Sequence, residues 1–239
     1  MGGLGLIAAV LLLERNLALV PDTKHRKQDV LIYFGLSWII SLFFANLLNW
    51  LIFDPPPRPL PIVHTLRFYG LTFYWGLIAF LLLAFVFLKI AKYQVNIYLN
   101  ELIPSITIFH AFGRTGCSFV GCCFGSEITF EILNLPRFPA RELEAVFLFI
   151  LTALFMTRLK KDRFMYYLLS YPVLRFALEF FRGDNRGQLF THVLSPSQEI
   201  SIALFTLGLY LFWRRSSDAK NDRLSQIKKL HISASAILG

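Results

Sequence analysis

The sequence predicts an all-α, polytopic membrane protein with about seven transmembrane helices. Three observations carry that prediction. Hydrophobic residues make up 56% of the 239-residue chain, with 25 Phe, and only 16% of residues are charged, against about 25% in soluble domains. Apolar stretches approaching the roughly 20 residues that span a bilayer recur along the chain. The basic residues collect in alternate links between those stretches, as the positive-inside rule requires. A mean hydropathy of +0.56 agrees. This composition excludes a disordered chain, a nucleic-acid-binding tail and an ordinary soluble enzyme. The net charge of +9 therefore records topology and does not call for an acidic partner.

The first apolar segment, 2–13, has no basic residues before it and no small-residue cleavage site after it. It reads as a short membrane segment and not a removable signal, either completed by Leu17 to Val20 or partly re-entrant. The second, 29–53, is stopped by Asp54-Pro55-Pro56-Pro57-Arg58-Pro59-Leu60-Pro61, which cannot continue a helix. The third is 69–91. The fourth, 97–116, is the least apolar, interrupted by Asn100, Glu101, Pro104, His110 and Arg114. The fifth, sixth and seventh lie at 142–157, 165–182 and 196–213. Loops 14–28, 89–96 and 158–164 and the tail after 213 hold 16 Lys and Arg, whereas the N-terminus and the other loops hold 6. That bias places the N-terminus outside and the C-terminus in the cytoplasm. The expected organisation is one transmembrane domain over 1–215 and a basic cytoplasmic tail over 216–239. No internal repeat supports an inverted-repeat transporter.

Ionisable residues inside spanning segments cost about 2.5–3.5 kcal/mol each on insertion scales and are functional candidates by default. The topology puts Tyr69 and Tyr74 in the outer part of the third segment, and Arg114 in the outer part of the fourth. Arg175, Glu179 and Arg182 climb the outer half of the sixth. Arg175 and Glu179 are four residues apart, share a helix face and can pair. The pair can be a structural lock, with Arg114 snorkelling to the interface. It can equally belong to an anionic head-group site, because guanidinium forks match phosphate oxygens and stabilise a phosphate as it leaves.

The densest motif runs from His110 to Gly125. Gly113, Gly116, Gly121 and Gly125 allow a tight re-entrant turn and close backbone approach to a ligand, with amides available to an anion. The chain's three cysteines all fall here, at Cys117, Cys122 and Cys123. Adjacent Cys122 and Cys123 are poorly placed to hold one tetrahedral ion together, and no Cys or His pair has zinc-like spacing. No metal or cofactor is expected. On an oxidising side Cys117 can form a disulfide with one of the other two. His110 is either a hydrogen-bonded structural histidine or, close to Arg114, a base.

At this point the chain resembles the bacterial prolipoprotein diacylglyceryl transferases, seven-helix inner-membrane enzymes. Gly113-Arg114-Thr115-Gly116-Cys117 stands where the family has Gly-Arg-x-Gly-Asn. Arg175-Phe176-Ala177-Leu178-Glu179-Phe180-Phe181-Arg182 matches the family's Arg-Phe-x-x-Glu-Phe-Phe-Arg throughout. Pro139-Ala140-Arg141-Glu142-Leu143-Glu144 keeps the Pro and Glu of Pro-x-Gln-Leu-Tyr-Glu, and Leu194-Ser195-Pro196-Ser197-Gln198 is similar to Leu-Ser-x-Gly-Gln. Phe73-Tyr74-Trp75-Gly76 replaces Phe-His-Gly-Gly, so Tyr74 stands for the family's histidine. Cys117 stands for the signature asparagine and Cys122 for its acidic residue, which marks a divergent branch.

The resemblance implies a multi-pass enzyme of the bacterial inner membrane whose partners are phosphatidylglycerol and a prolipoprotein signal peptide. The lipobox thiolate would attack the glycerol C3 carbon, forming a thioether and expelling glycerol phosphate. Arg114 and Arg175 would hold the phosphate, Glu179 would orient Arg175, and Arg182 would guide the head group. Tyr69, Gly113, Gly116, Cys117, Gly121 and Glu144 would line the substrate site. A thiol with a pKa near 8.5 needs a base or a positive field; Tyr74, with a reference pKa of about 10, and His110 are the candidates. A paralogue that alkylates a different acceptor and a non-catalytic phospholipid-binding protein are the alternatives.

Overall fold

A computed structural model describes residues 1–20, 27–53, 72–127, 137–183 and 193–238. Among these the chain is helical throughout, in seven helices: α1 Gly2–Ala18, α2 Lys27–Phe53, α3 Thr72–Ile90, α4 Val95–Val120, α5 Ala140–Thr157, α6 Arg163–Glu179 and α7 Pro196–Leu238. The β-type pairing among the described residues is a single bridge between Gly125 and Arg182.

Helix α4 is the hub, packed chiefly on α1 and α5 and also touching α3 and α6; α2 pairs with α3, and α6 with α7. Specific contacts fix the directions. Met1 abuts Gly116, Gly5 abuts Phe112, and Asn16 donates to the Glu101 carbonyl at 3.1 Å, so α1 runs antiparallel to α4. Glu144 meets Arg114 and Thr152 meets Thr107, so α5 is antiparallel as well. Phe164 N–H donates to Asn100 at one end of α6 while Tyr171 lies against His110 further along, which makes α6 parallel to α4. Gly208 on Leu168 and Ser197 on Arg175 turn α7 back down α6. Tyr33 stacks on Phe87 and Gly76 faces Ala45, so α2 and α3 are antiparallel. Helices α4 to α7 therefore alternate in direction, with α1 antiparallel to α4 and α2 antiparallel to α3.

Close helix approach depends on small residues, the usual device of helices that pack in lipid. A Cβ on Gly5 would lie 2.8 Å from the Phe112 Cβ, so any side chain there forces α1 off α4. Gly208 lies similarly tight against Leu168, next to the interruption that Pro172 makes in the α6 ladder.

The bundle is apolar on its outside, and its largely hydrophobic core also encloses several charged side chains. Leu4, Ile7 and Leu11 of α1, Ile32, Ile39 and Phe43 of α2, Val146 and Ile150 of α5, and Tyr210, Phe212 and Trp213 of α7 are exposed. Arg114, Glu144, Arg163 and Arg175 are buried. By length and hydropathy taken alone, Lys27–Ala45 passes as a membrane span among the described residues, and Trp75–Ile90 is apolar but shorter. Helix α6, at 17 residues, is too short for that test, and α4 and α5 are interrupted by polar and charged residues.

Three boundaries differ from the sequence reading. The fourth segment does not turn at its glycines: α4 continues through Gly113 and Gly116 to Val120. Gly116 is needed for the Met1 contact instead, and its amide belongs to the helix ladder. The first segment is one continuous 17-residue helix, not a partly re-entrant one. The basic stretch from Ser216 carries on from the seventh segment as helix, without a break.

Candidate active site

At one end of the bundle, four helices bring their polar residues into one layer. Arg114 lies six residues before the end of α4, Glu144 four residues into α5, Arg175 four residues before the end of α6, and Ser197 in the first turn of α7. At about 1.5 Å per residue each lies within roughly two turns of that end.

Glu144 is the anchor of the first half of the layer. It is 1% exposed. One carboxylate oxygen faces Arg114 Nε at 3.0 Å, and the other accepts the Tyr171 hydroxyl at 2.9 Å and lies 3.6 Å from His110 Nε2. Arg114 Nε also faces His110 Nε2 at 3.3 Å, and the His110 ring meets Tyr171 edge-on at 5.1 Å. His110 Nε2 is thus enclosed by Arg114 and Glu144, a position that orients the guanidinium more readily than it collects protons from a substrate.

Arg175 anchors the second half and is fully buried. Its Nη2 lies 2.6 Å from Glu179 and donates to Ser197 Oγ at 3.0 Å. Arg182 Nε lies 3.9 Å from the same Glu179 oxygen. The i, i+4 spacing of Arg175 and Glu179 thus produces the pair it predicts. Tyr171, bonded to Glu144, and Arg175 lie one turn apart on α6, which joins the two halves. Among the described residues the layer holds three guanidinium groups and two carboxylates, an excess of positive charge suited to a phosphate.

Tyr171 and Ser197 are site residues that the sequence motifs do not single out. The signal for Tyr171 was present: Arg163, Tyr167, Tyr171, Arg175 and Glu179 recur every four residues, a polar stripe along one face of α6. The Gly113 and Gly121 positions lie apart from the buried layer. Gly113 has open space beside it, and Gly121, at φ +75°, makes the left-handed turn that ends α4. Tyr69 lies outside the described residues. Tyr74 belongs to the first turn of α3, and its side chain lies outside the described part.

Cys117 lies one turn beyond Arg114. The spacing argument against a shared ion at Cys122 and Cys123 does not describe the folded chain. Gly121 and Cys123 (φ +59°) both adopt left-handed backbone, and the reversal brings the three Sγ atoms within 4.8 Å of one another.

A partly buried ion pair, Arg163 with Glu101, lies at the opposite end of α4 and α6, with Arg163 Nε also donating to the Phe155 carbonyl at 3.1 Å. Thirteen residues of helix separate Glu101 from Arg114, about 20 Å, so this pair ties α4, α5 and α6 together away from the site.

A helical bundle with an apolar exterior and a buried arginine–carboxylate layer is the architecture of a membrane protein with a charged interior. Comparison with known families is more specific. The prolipoprotein diacylglyceryl transferase model matches residues 1–214, and the chain belongs to that family of transferases. A Clostridium tetani protein named phosphatidylglycerol–prolipoprotein diacylglyceryl transferase is 26% identical over 230 residues, 87% of this chain and 88% of its own. A Clostridium perfringens protein named phosphatidylglycerol–prolipoprotein diacylglyceryl transferase 2 is 29% identical over 51% of this chain and 53% of its own length. A Campylobacter lari enzyme with the same name as the Clostridium tetani protein is 28% identical over 64% of this chain and 60% of its own.

Proposed function

We propose that this chain transfers the diacylglyceryl group of phosphatidylglycerol to the lipobox cysteine thiol of a prolipoprotein. The observation that carries the proposal is the buried layer joining Arg114, Glu144 and Tyr171 to Arg175, Glu179 and Ser197. In the transfer, the peptide thiolate attacks C3 of the diacylated glycerol. The carbon–sulfur bond forms as the carbon–oxygen bond to phosphate breaks, and glycerol phosphate leaves with the electron pair. Negative charge grows on the departing phosphate, so preorganised guanidinium groups in a water-poor site lower the barrier. Arg114 and Arg175 have that role. Glu144 and Glu179 hold their forks in place, and Arg182, beside Glu179, receives the head group. Cys117, one turn beyond Arg114 on α4, borders the site, and Tyr74 belongs to the first turn of α3.

The thiol proton requires an acceptor. His110 Nε2 is engaged by Arg114 and Glu144, which favours Tyr74, or ionisation of the thiol in the positive field, over His110 as the base.

We read the protein as a multi-pass protein of the bacterial inner membrane, with seven crossings and the N-terminus outside. The alternation of helix direction supports this, as do the exposed apolar faces and a bundle whose polar site lies at the end where α1 begins. Exposed Lys89, Lys92, Arg158, Lys160 and Lys161 gather at the opposite end, where positive charge faces the cytoplasm. The α7 extension beyond residue 215 then forms a basic helix at the inner surface, outside the 1–215 membrane domain.

The test is transfer of label from phosphatidylglycerol, marked in its diacylglyceryl part, to a lipobox peptide by the purified chain. Label on the peptide cysteine is expected. Lipid that binds but is never transferred would leave a phospholipid-binding protein, and transfer to other thiols but not to the lipobox would leave a paralogous acceptor.

A further inference from the structure

We propose that Cys117, Cys122 and Cys123 form a trithiolate site for a thiophilic metal ion of the zinc type, which locks the turn that ends α4 onto the last turn of that helix. The three Sγ atoms already lie within 4.8 Å of one another. A tetrahedral ion with metal–sulfur bonds near 2.3 Å spaces its sulfurs about 3.8 Å apart, so closing the site needs shifts of no more than about an ångström. Three cysteines leave one coordination position, and Cys122 is exposed, so water can occupy it.

The backbone around the thiols is built to hold this geometry. Cys123 adopts left-handed backbone, a conformation unfavourable for a non-glycine residue that here returns its sulfur towards Cys117. Arg141 closes the turn from outside: its Nη1 donates to the Cys122 carbonyl at 2.8 Å and to the Cys117 carbonyl at 3.4 Å. Its Nε is held 2.7 Å from Glu142, which also accepts the Ser118 hydroxyl at 2.8 Å. Beyond the cysteines, Gly183 N–H donates to the Phe124 carbonyl at 3.3 Å and Ser126 N–H to the Phe181 carbonyl at 2.8 Å, strapping the segment to the end of α6. Gly125 sits so close to Phe138 that a Cβ would meet its carbonyl oxygen at 2.1 Å. Backbone clamps of this kind fix metal ligands before the ion arrives.

The charge balance agrees. Binding one divalent ion releases three thiol protons to solvent and leaves a group with one net negative charge. Arg141, whose Nη1 donates to the Cys117 and Cys122 carbonyls, lies against the turn that carries that charge. A disulfide would use two of the sulfurs and leave the third outside; a metal ion uses all three.

The experiment uses the full chain in detergent, purified without a polyhistidine tag and reduced. Zinc is measured after desalting, and cadmium uptake is followed by its thiolate charge-transfer absorption. One equivalent of either ion per chain is expected, lost in Cys117→Ser and in Cys123→Ser. In the wild type, which needs no variant to fold, zinc should slow alkylation of all three thiols together. Absence of uptake by the reduced wild type overturns the proposal. So does a protein isolated with a disulfide among these cysteines that, once reduced, still binds neither ion.

Discussion

Glu144→Gln keeps the shape of the side chain and removes its charge at the point where the two halves of the site meet. The carboxylate is 1% exposed and takes Arg114 Nε at 3.0 Å and the Tyr171 hydroxyl at 2.9 Å. In an effective dielectric of about 20, unit charges about 3 Å apart attract by roughly 5–6 kcal/mol. Desolvation of both ions offsets much of that attraction. The variant, however, leaves Arg114 buried without its counter-charge, and breaking a buried pair from one side costs about 3–5 kcal/mol. Removing both charges is far less costly, because no lone ion stays behind. Unfolding in mixed detergent, followed by tryptophan fluorescence at fixed lipid content, therefore gives a clear expectation. Glu144→Gln loses about 3–5 kcal/mol, and the double variant with Arg114→Gln recovers at least about 1.5 kcal/mol of the summed loss. If the two losses add to within about 0.5 kcal/mol, the pair is not coupled and the site as described is wrong.

Tyr171→Phe removes a hydroxyl donor to a buried carboxylate, so a stability loss of about 1.5–3 kcal/mol is expected in the same assay; an unchanged midpoint would remove Tyr171 from the site. Gly5→Val forces a side chain into the 2.8 Å approach to Phe112 and should cost about 1–3 kcal/mol, seen as a lowered thermal midpoint. His110→Gln, which retains a polar group beside Arg114, should keep measurable transfer, whereas Tyr74→Phe should lower turnover if its hydroxyl takes the proton. The reverse ranking in a transfer assay would make His110 the base.

Much of the fold was legible because helix formation in an apolar chain leaves few choices. Each predicted segment coincides with a helix, the i, i+4 spacing delivers the Arg175–Glu179 pair, and the charges of the fourth and sixth segments do meet in one layer. What escaped was set by packing between helices. Glycines at 113 and 116 permit a turn, but the neighbouring α1 rewards a straight α4, with Met1 seated on Gly116. Tyr171 looks like one more aromatic until α5 brings Glu144 to its hydroxyl. Sequence spacing separates Cys117 from Cys122 and Cys123, while two left-handed residues bring all three sulfurs together. The Arg163–Glu101 pair spans 62 positions, and no local pattern announces it.

The central claim is that buried guanidinium groups stabilise a departing phosphate, and Arg175 tests it most directly. Arg175→Lys keeps the charge but loses the planar fork that reaches Glu179 and Ser197 together. Single-turnover transfer from labelled phosphatidylglycerol to a lipobox peptide should fall by about a hundredfold or more, the scale of losing one oxyanion donor, with the variant still folded and still holding lipid. Transfer at the wild-type rate by the folded variant would contradict the account.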